Sequence, residues 1–137
     1  MNRQPHKTFR LTDNEWRRAK ECIRAYLEDR AAARQMTDYT ELHDVVLRKE
    51  GVTVDAFSVE MNWMLGEIAD DCREEGVPLL TALVTHRSGD MEPGPGFYEK
   101  AVFLGYSVDR AAPYVFWATM TQECFKYWGR PVVQRNS

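Results

Sequence analysis

The side chains with the widest chemical range in this 137-residue chain are three cysteines, three histidines and a large set of carboxylates. Cys22, Cys72 and Cys124 are odd in number, far apart, and each falls in a helical pattern. That usage fits reduced, buried thiols in a cytoplasmic protein rather than a disulfide framework. No cysteine stands close to a histidine, so the spacing of a zinc site is missing. His43 sits beside an apolar stripe with no nucleophile or metal ligand at a useful distance, which reads as a structural histidine. His86 is followed by Arg87, Asp90 and Glu92, and these could converge as an acid/base or nuclease-like cluster in a small hydrolase. Asp70, Asp71, Glu74 and Glu75 offer paired carboxylates, but general acid/base work by such a pair needs a pocket that spacing alone does not supply. The loop Pro93-Gly94-Pro95-Gly96 lacks the Lys-Ser/Thr of a phosphate loop, and no GxGxxG occurs. The balance is against an enzyme: no catalytic residue, metal ligand or cofactor is assigned.

Charge narrows the partners. The formal net charge is -3. Residues 1–35 carry nine Lys/Arg against five Asp/Glu, and residues 36–90 carry four against twelve. A globally basic nucleic-acid binder is excluded, so phosphate contacts would fall to the N-terminal segment or to scattered basic residues. No apolar run approaches the ~20 residues of a membrane span. The N-terminal residues contain no apolar core of the signal-peptide kind. The length suits one domain over residues 1–137, with 1–11 and 130–137 loose.

These residues must be positioned by a helix-rich frame. Thr12 with Glu15 is a capping-box pattern and predicts a helix from about Asp13 to about Arg34. Its apolar positions are Trp16, Ala19, Ile23, Tyr26, Leu27 and Ala31. The opposite face carries Arg17, Arg18 and Arg24, either plainly solvated or turned to phosphate or an acidic partner. Thr37 starts a second helix, from about Asp38 to about Lys49, stopped by Gly51. A third is capped by Ser58 and ended by Gly76. Gly66 lies inside it at a cost of about 1 kcal/mol relative to Ala, which suggests a close helix crossing. Val77 to His86 reads as a strand apolar on both faces and therefore buried on both. The Gly/Pro-rich loop after it has the composition of a wing or an equivalent turn extension. A short helix follows from Phe97 to Leu104, then a last one from about Pro113 to about Tyr127. Tyr114, Phe116, Trp117, Phe125 and Trp128 give that last helix an aromatic load suited to the core or to a homodimer contact.

The order Tyr39-Thr40-Glu41-Leu42, Met64-Leu65-Gly66-Glu67-Ile68, Val77-Pro78-Leu79-Leu80-Thr81-Ala82-Leu83-Val84 and Pro95-Gly96-Phe97-Tyr98 resembles a group of small bacterial and phage-borne domains, some of them attached to HNH nucleases. More distantly it is similar to the winged-helix domain of the O6-alkylguanine-DNA alkyltransferases and alkyltransferase-like proteins. The likeness covers about residues 37–100, and Phe116-Trp117 and Tyr127-Trp128 extend it to the smaller group. It implies an α+β, mostly helical, winged-helix-like domain with a short sheet and extra N- and C-terminal helices. The departures are specific. Leu79 stands where the alkyltransferases carry the reactive cysteine, so alkyl acceptance has no thiolate to run on. Val59-Glu60-Met61-Asn62 offers no counterpart to the arginine that enters the base stack in that family.

Two readings follow. The first is a non-enzymatic, winged-helix-like binder of duplex nucleic acid from a phage, mobile-element or defence context. Asn62 and Trp63 would be its groove contacts, and His86 and Arg87 its phosphate contacts, supported by Arg17, Arg18 and Arg24. The second is a protein-interaction module, such as a phage-type inhibitor or accessory factor, presenting Asp70, Asp71, Glu74 and Glu75 to a basic surface.

Overall fold

The computed structural model describes residues 10–86 and 92–130. Helix α1 (Asp13–Ala32) begins where its sequence predicts. Glu15 N donates to Thr12 Oγ1 at 3.0 Å and Thr12 N donates to the Glu15 carboxylate at 2.9 Å, closing the capping box. Trp16, Ala19, Ile23, Leu27 and Ala31 recur every three or four residues, and all are buried. This stripe is the wall on which most of the other core elements pack. Leu11 also packs onto that core, and Arg130 N donates to Ala32 O at 3.3 Å.

Strand β1 (Thr37–Asp38) leads directly into helix α2 (Tyr39–Glu50), because Asp38 Oδ1 accepts from Glu41 N at 2.8 Å and caps it. Helix α3 (Val59–Glu75) is capped by Ser58. Gly51 and Gly76 end α2 and α3 in the left-handed conformation, at φ 67° and 76°, where a side chain would be strained. Val52 and Val54 between these helices are buried without forming a strand.

The ten-residue strand expected over Val77–His86 is not formed. Its centre is a turn of 3-10 helix (Leu80–Leu83), and β2 (Val84–Thr85) is all that pairs. Burial is as read: Leu79 to Thr85 are inside. The backbone is satisfied differently. The available partner is short, since Asp38 already caps α2. Helix α5 (Pro113–Trp128) supplies side-chain partners instead. Trp117 Nε1 donates to Ala82 O at 2.8 Å and Cys124 Sγ to Leu79 O at 3.2 Å, while Leu79 N faces Met120 Sδ at 3.3 Å. Buried peptide groups need partners from somewhere. Here an adjacent helix provides them, and the strand geometry that a ladder would have imposed is lost.

β1 and β2 run parallel, with Thr37 opposite Val84 and Asp38 opposite Thr85. Helix α4 (Pro95–Phe103) starts two residues earlier than its periodicity suggests, because Pro95 occupies its first turn. The chain is thus a mostly helical α+β fold, with five α-helices and one two-stranded sheet among the described residues. Residues 87–91 of the expected wing lie outside the described residues, Arg87 and Asp90 among them.

Candidate functional site: the groove between α3 and α4

The sheet register builds one end of the site. Asp38 opposite Thr85 puts the following residues, Tyr39 and His86, side by side, with ring centroids 5.4 Å apart. Phe57 stacks on His86 at 6.1 Å and lies 5.4 Å from Tyr39. His86 N donates to Glu92 O at 3.0 Å, which holds the residues just before α4 beside the end of β2. Gly94, the residue before α4, nests against this cluster. A Cβ there would stand 2.9 Å from His86 Nε2 and 3.5 Å from the Tyr39 hydroxyl. Burial pushes the Tyr39 phenol up, against a smaller downward pull from the Gly94 backbone. The histidine is therefore packed into an aromatic cluster that fixes where α4 begins.

From that point α4 runs beside α3. Asn62, Trp63, Gly66 and Asp70 on α3 face Gly96, Glu99, Lys100 and Phe103 on α4. Tyr39, Thr81 and Val84 contribute to the lining of a groove of about 470 Å³. Trp63 is 48% exposed and Phe103 79% exposed. Lys100 Nζ joins the two walls, 2.7 Å from Asp70 Oδ1 and 5.1 Å from the centre of the Phe103 ring. Lys100 is the basic residue of the lining, against Glu67, Asp70 and Glu99.

Gly66 gives the groove its open middle. The nearest atoms to a Cβ built there are the ends of the Lys100 side chain, both at 4.0 Å. That is ordinary van der Waals contact, so intramolecular packing does not require glycine. The close helix crossing expected from the sequence is not what this residue serves.

The basic residues expected to meet phosphate do not join Asn62 and Trp63. Arg17 reaches Asn14 and Glu21 at 2.6 and 3.2 Å. Arg18 holds the Glu50 carbonyl and carboxylate at 2.9 and 3.1 Å. Arg24 holds Glu28 at 3.0 Å and Glu75 at 2.9 and 3.2 Å. Glu75 lies twelve residues beyond Trp63 on α3, about 18 Å along the helix axis. Asn62, Trp63 and His86 do fall in one region, at and beside the groove.

The four acids of α3 are likewise divided. Asp70 pairs with Lys100, Asp71 with Lys20 at 3.0 Å, and Glu75 with Arg24, while Glu74 is exposed. These cations answer the unfavourable position of acids near the negative end of a helix. Burial alone lowers Lys20, but the hydrogen bond and charge of Asp71, with Glu67 behind them, carry it above its ordinary value. The Arg24 hydrogen bonds hold the Glu75 carboxyl below its ordinary range.

The thiols are poor nucleophiles. Burial raises Cys72 and Cys124, and burial followed by the charge of Glu50 raises Cys22. Among the described residues no cluster of three or more metal-ligating side chains occurs, and no helix is long and apolar enough to cross a membrane. His43 Nδ1 lies 3.0 Å from Val54 O and holds the α2–α3 connection. The parts of the site that spacing did not reveal are Phe103, Lys100 and Tyr39. Their signal was faint: in the helix after Gly96, Ala101 alone is buried, while apolar Val102 and Phe103 are left outside.

Comparison with protein-family models, with curated proteins and with solved structures finds no match for this chain.

Proposed function

We propose that this protein is a protein-interaction module and that the α3–α4 groove receives a segment of its partner. The observation that carries this is Gly66. A glycine inside a 17-residue helix is destabilising, by about 1 kcal/mol relative to Ala, and its own neighbours leave room for a Cβ. What its missing side chain leaves is room beside the end of Lys100, in the groove that Trp63 and Phe103 also line. Exposed large apolar groups gathered along a groove mark docking sites more often than isolated ones do, and tryptophan is among the residues that most often anchor an interface. The acidic quartet as a whole is not the docking surface in this reading: Asp71 and Glu75 hold cations of α1, and of the four acids Asp70 alone lines the groove.

Selection of binders from a random peptide library on the immobilised protein tests the proposal. Selected peptides should lose about 2 kcal/mol or more of affinity on Trp63→Ala. Gly66→Ala should weaken binding while raising stability by about 1 kcal/mol in urea melts. Binding that is indifferent to both changes would place the docking surface elsewhere.

A second reading keeps the winged-helix-like, nucleic-acid-binding fold. Its support is the exposure of Asn62 and Trp63 on the first turns of α3, directly after α2, where a groove-reading helix would carry its base contacts. Duplex binding in a gel shift that falls steeply with salt, and that Trp63→Ala removes, would favour it over the peptide groove.

A further inference from the structure

The groove also carries information about the chemistry of what it binds. We infer, resting on the docking role just proposed, that the partner segment is amphipathic and cationic: an apolar anchor over Gly66 with a lysine or arginine beside it that takes the Asp70 carboxylate from Lys100. The chain displays this interaction with its own side chain. Lys100 holds an ammonium 2.7 Å from Asp70 Oδ1 and 5.1 Å from the Phe103 ring centre, and its last two atoms are the ones nearest Gly66. A carboxylate beside an aromatic face suits an ammonium or guanidinium, since both attract positive charge.

The remaining charges point the same way. Glu99 is exposed on the α4 wall. Asp70 remains 47% exposed despite its pair with Lys100. Glu67, also in the lining, is engaged by α1: Trp16 Nε1 donates to it at 3.0 Å and Lys20 lies 3.4 Å away. An anionic segment would meet Glu99 and Asp70, with Lys100 the one cation of the lining among the described residues and already engaged. A cationic one gains both carboxylates and the two aromatic faces. The Lys100 chain is long and flexible, so it can leave Asp70 for solvent when a partner cation arrives.

The test uses three capped amphipathic peptides, each about 12 residues or three helical turns long. All carry the same leucine stripe, with lysine, glutamine or glutamate at the remaining positions. Binding to the full chain is measured by calorimetry at about 0.15 M salt, where distant charges are screened. The lysine peptide should bind tightest. Lys100→Ala should tighten it by about fivefold by freeing Asp70, and Asp70→Asn should weaken it by a similar factor. Phe103→Ala, at a position outside the core, and Gly66→Trp should each weaken all groove binding. Should the glutamine or glutamate peptide bind as well as the lysine peptide, or Lys100→Ala weaken the lysine peptide, the cationic partner is ruled out while the groove stands. If no peptide responds to Phe103→Ala and Gly66→Trp, the groove itself is not the docking site.

Discussion

Many charged side chains of α1 and α3 are paired with charges of the same chain. Arg24 shows the consequence. Its guanidinium bridges Glu28 on α1 and Glu75 at the end of α3, so a side chain that looked available for phosphate instead ties two helices. Because Glu75 is held below its ordinary carboxyl value, 4.5, this pair stabilises the fold fully above that value. The contribution is lost as pH falls through the depressed folded value. Arg24→Gln should return the Glu75 titration to the ordinary range in carbon-13 carboxyl spectra and flatten the acid limb of stability against pH. An unchanged Glu75 titration would mean that the ion pair does not persist in solution.

At the scale of elements, the segment after α3 is the instructive one. Leu79 to Thr85 is buried as a strand in a sheet would be, yet α5 and a tight 3-10 turn satisfy much of its backbone. Trp117 therefore has a structural task beyond filling space. Phe116 packs near Phe97 and Tyr106, at 5.8 and 5.6 Å between ring centroids, so much of the aromatic load of α5 is absorbed within the chain. Tyr114, Val115 and Tyr127 remain exposed on α5. Trp117→Phe keeps most of the ring volume but leaves the buried Ala82 carbonyl without this donor. It should cost about 1–3 kcal/mol in denaturant melts. A cost near zero would show that water or a backbone shift replaces the indole.

Over the whole molecule, α1 is the shared wall. α2, α3, α5 and the 3-10 turn all pack on it, and the buried residues form one continuous cluster. Two of the three thiols lie inside that cluster. In native buffer, a thiol reagent should label Cys22 slowly and leave Cys72 and Cys124 protected, with all three reacting after unfolding in urea. The raised thiols also set an alkaline limit. Above the ordinary thiol value of 9.0, the unfolded chain releases protons that the folded chain keeps, so stability falls as pH rises. Rapid labelling of Cys124 in the native protein would show that α5 does not stay seated.

The amino-acid order by itself determined most helix ends, although Asp38 rather than Thr37 caps α2 and α4 begins at Pro95 rather than Phe97. The capping box at Thr12 and Glu15, the Ser58 cap, the stops at Gly51 and Gly76 and the initiating Pro113 are local chemistry, complete within a few residues, and so they were legible without the fold. The buried character of residues 79–85 was legible too, because it depends only on how apolar the segment is. Tertiary structure alone decided what that segment does with its peptide groups, since α5 brings donors from more than thirty residues away. It also decided which charges remain free. Arg24 and Glu75 are 51 positions apart, and no spacing rule joins them. The groove belongs to the same class: Trp63, Gly66 and Phe103 become neighbours because a two-residue parallel pairing sets Tyr39 beside His86, and that cluster fixes the start of α4. Hydrogen-bond caps act along the chain, whereas surfaces and ion pairs are made across it.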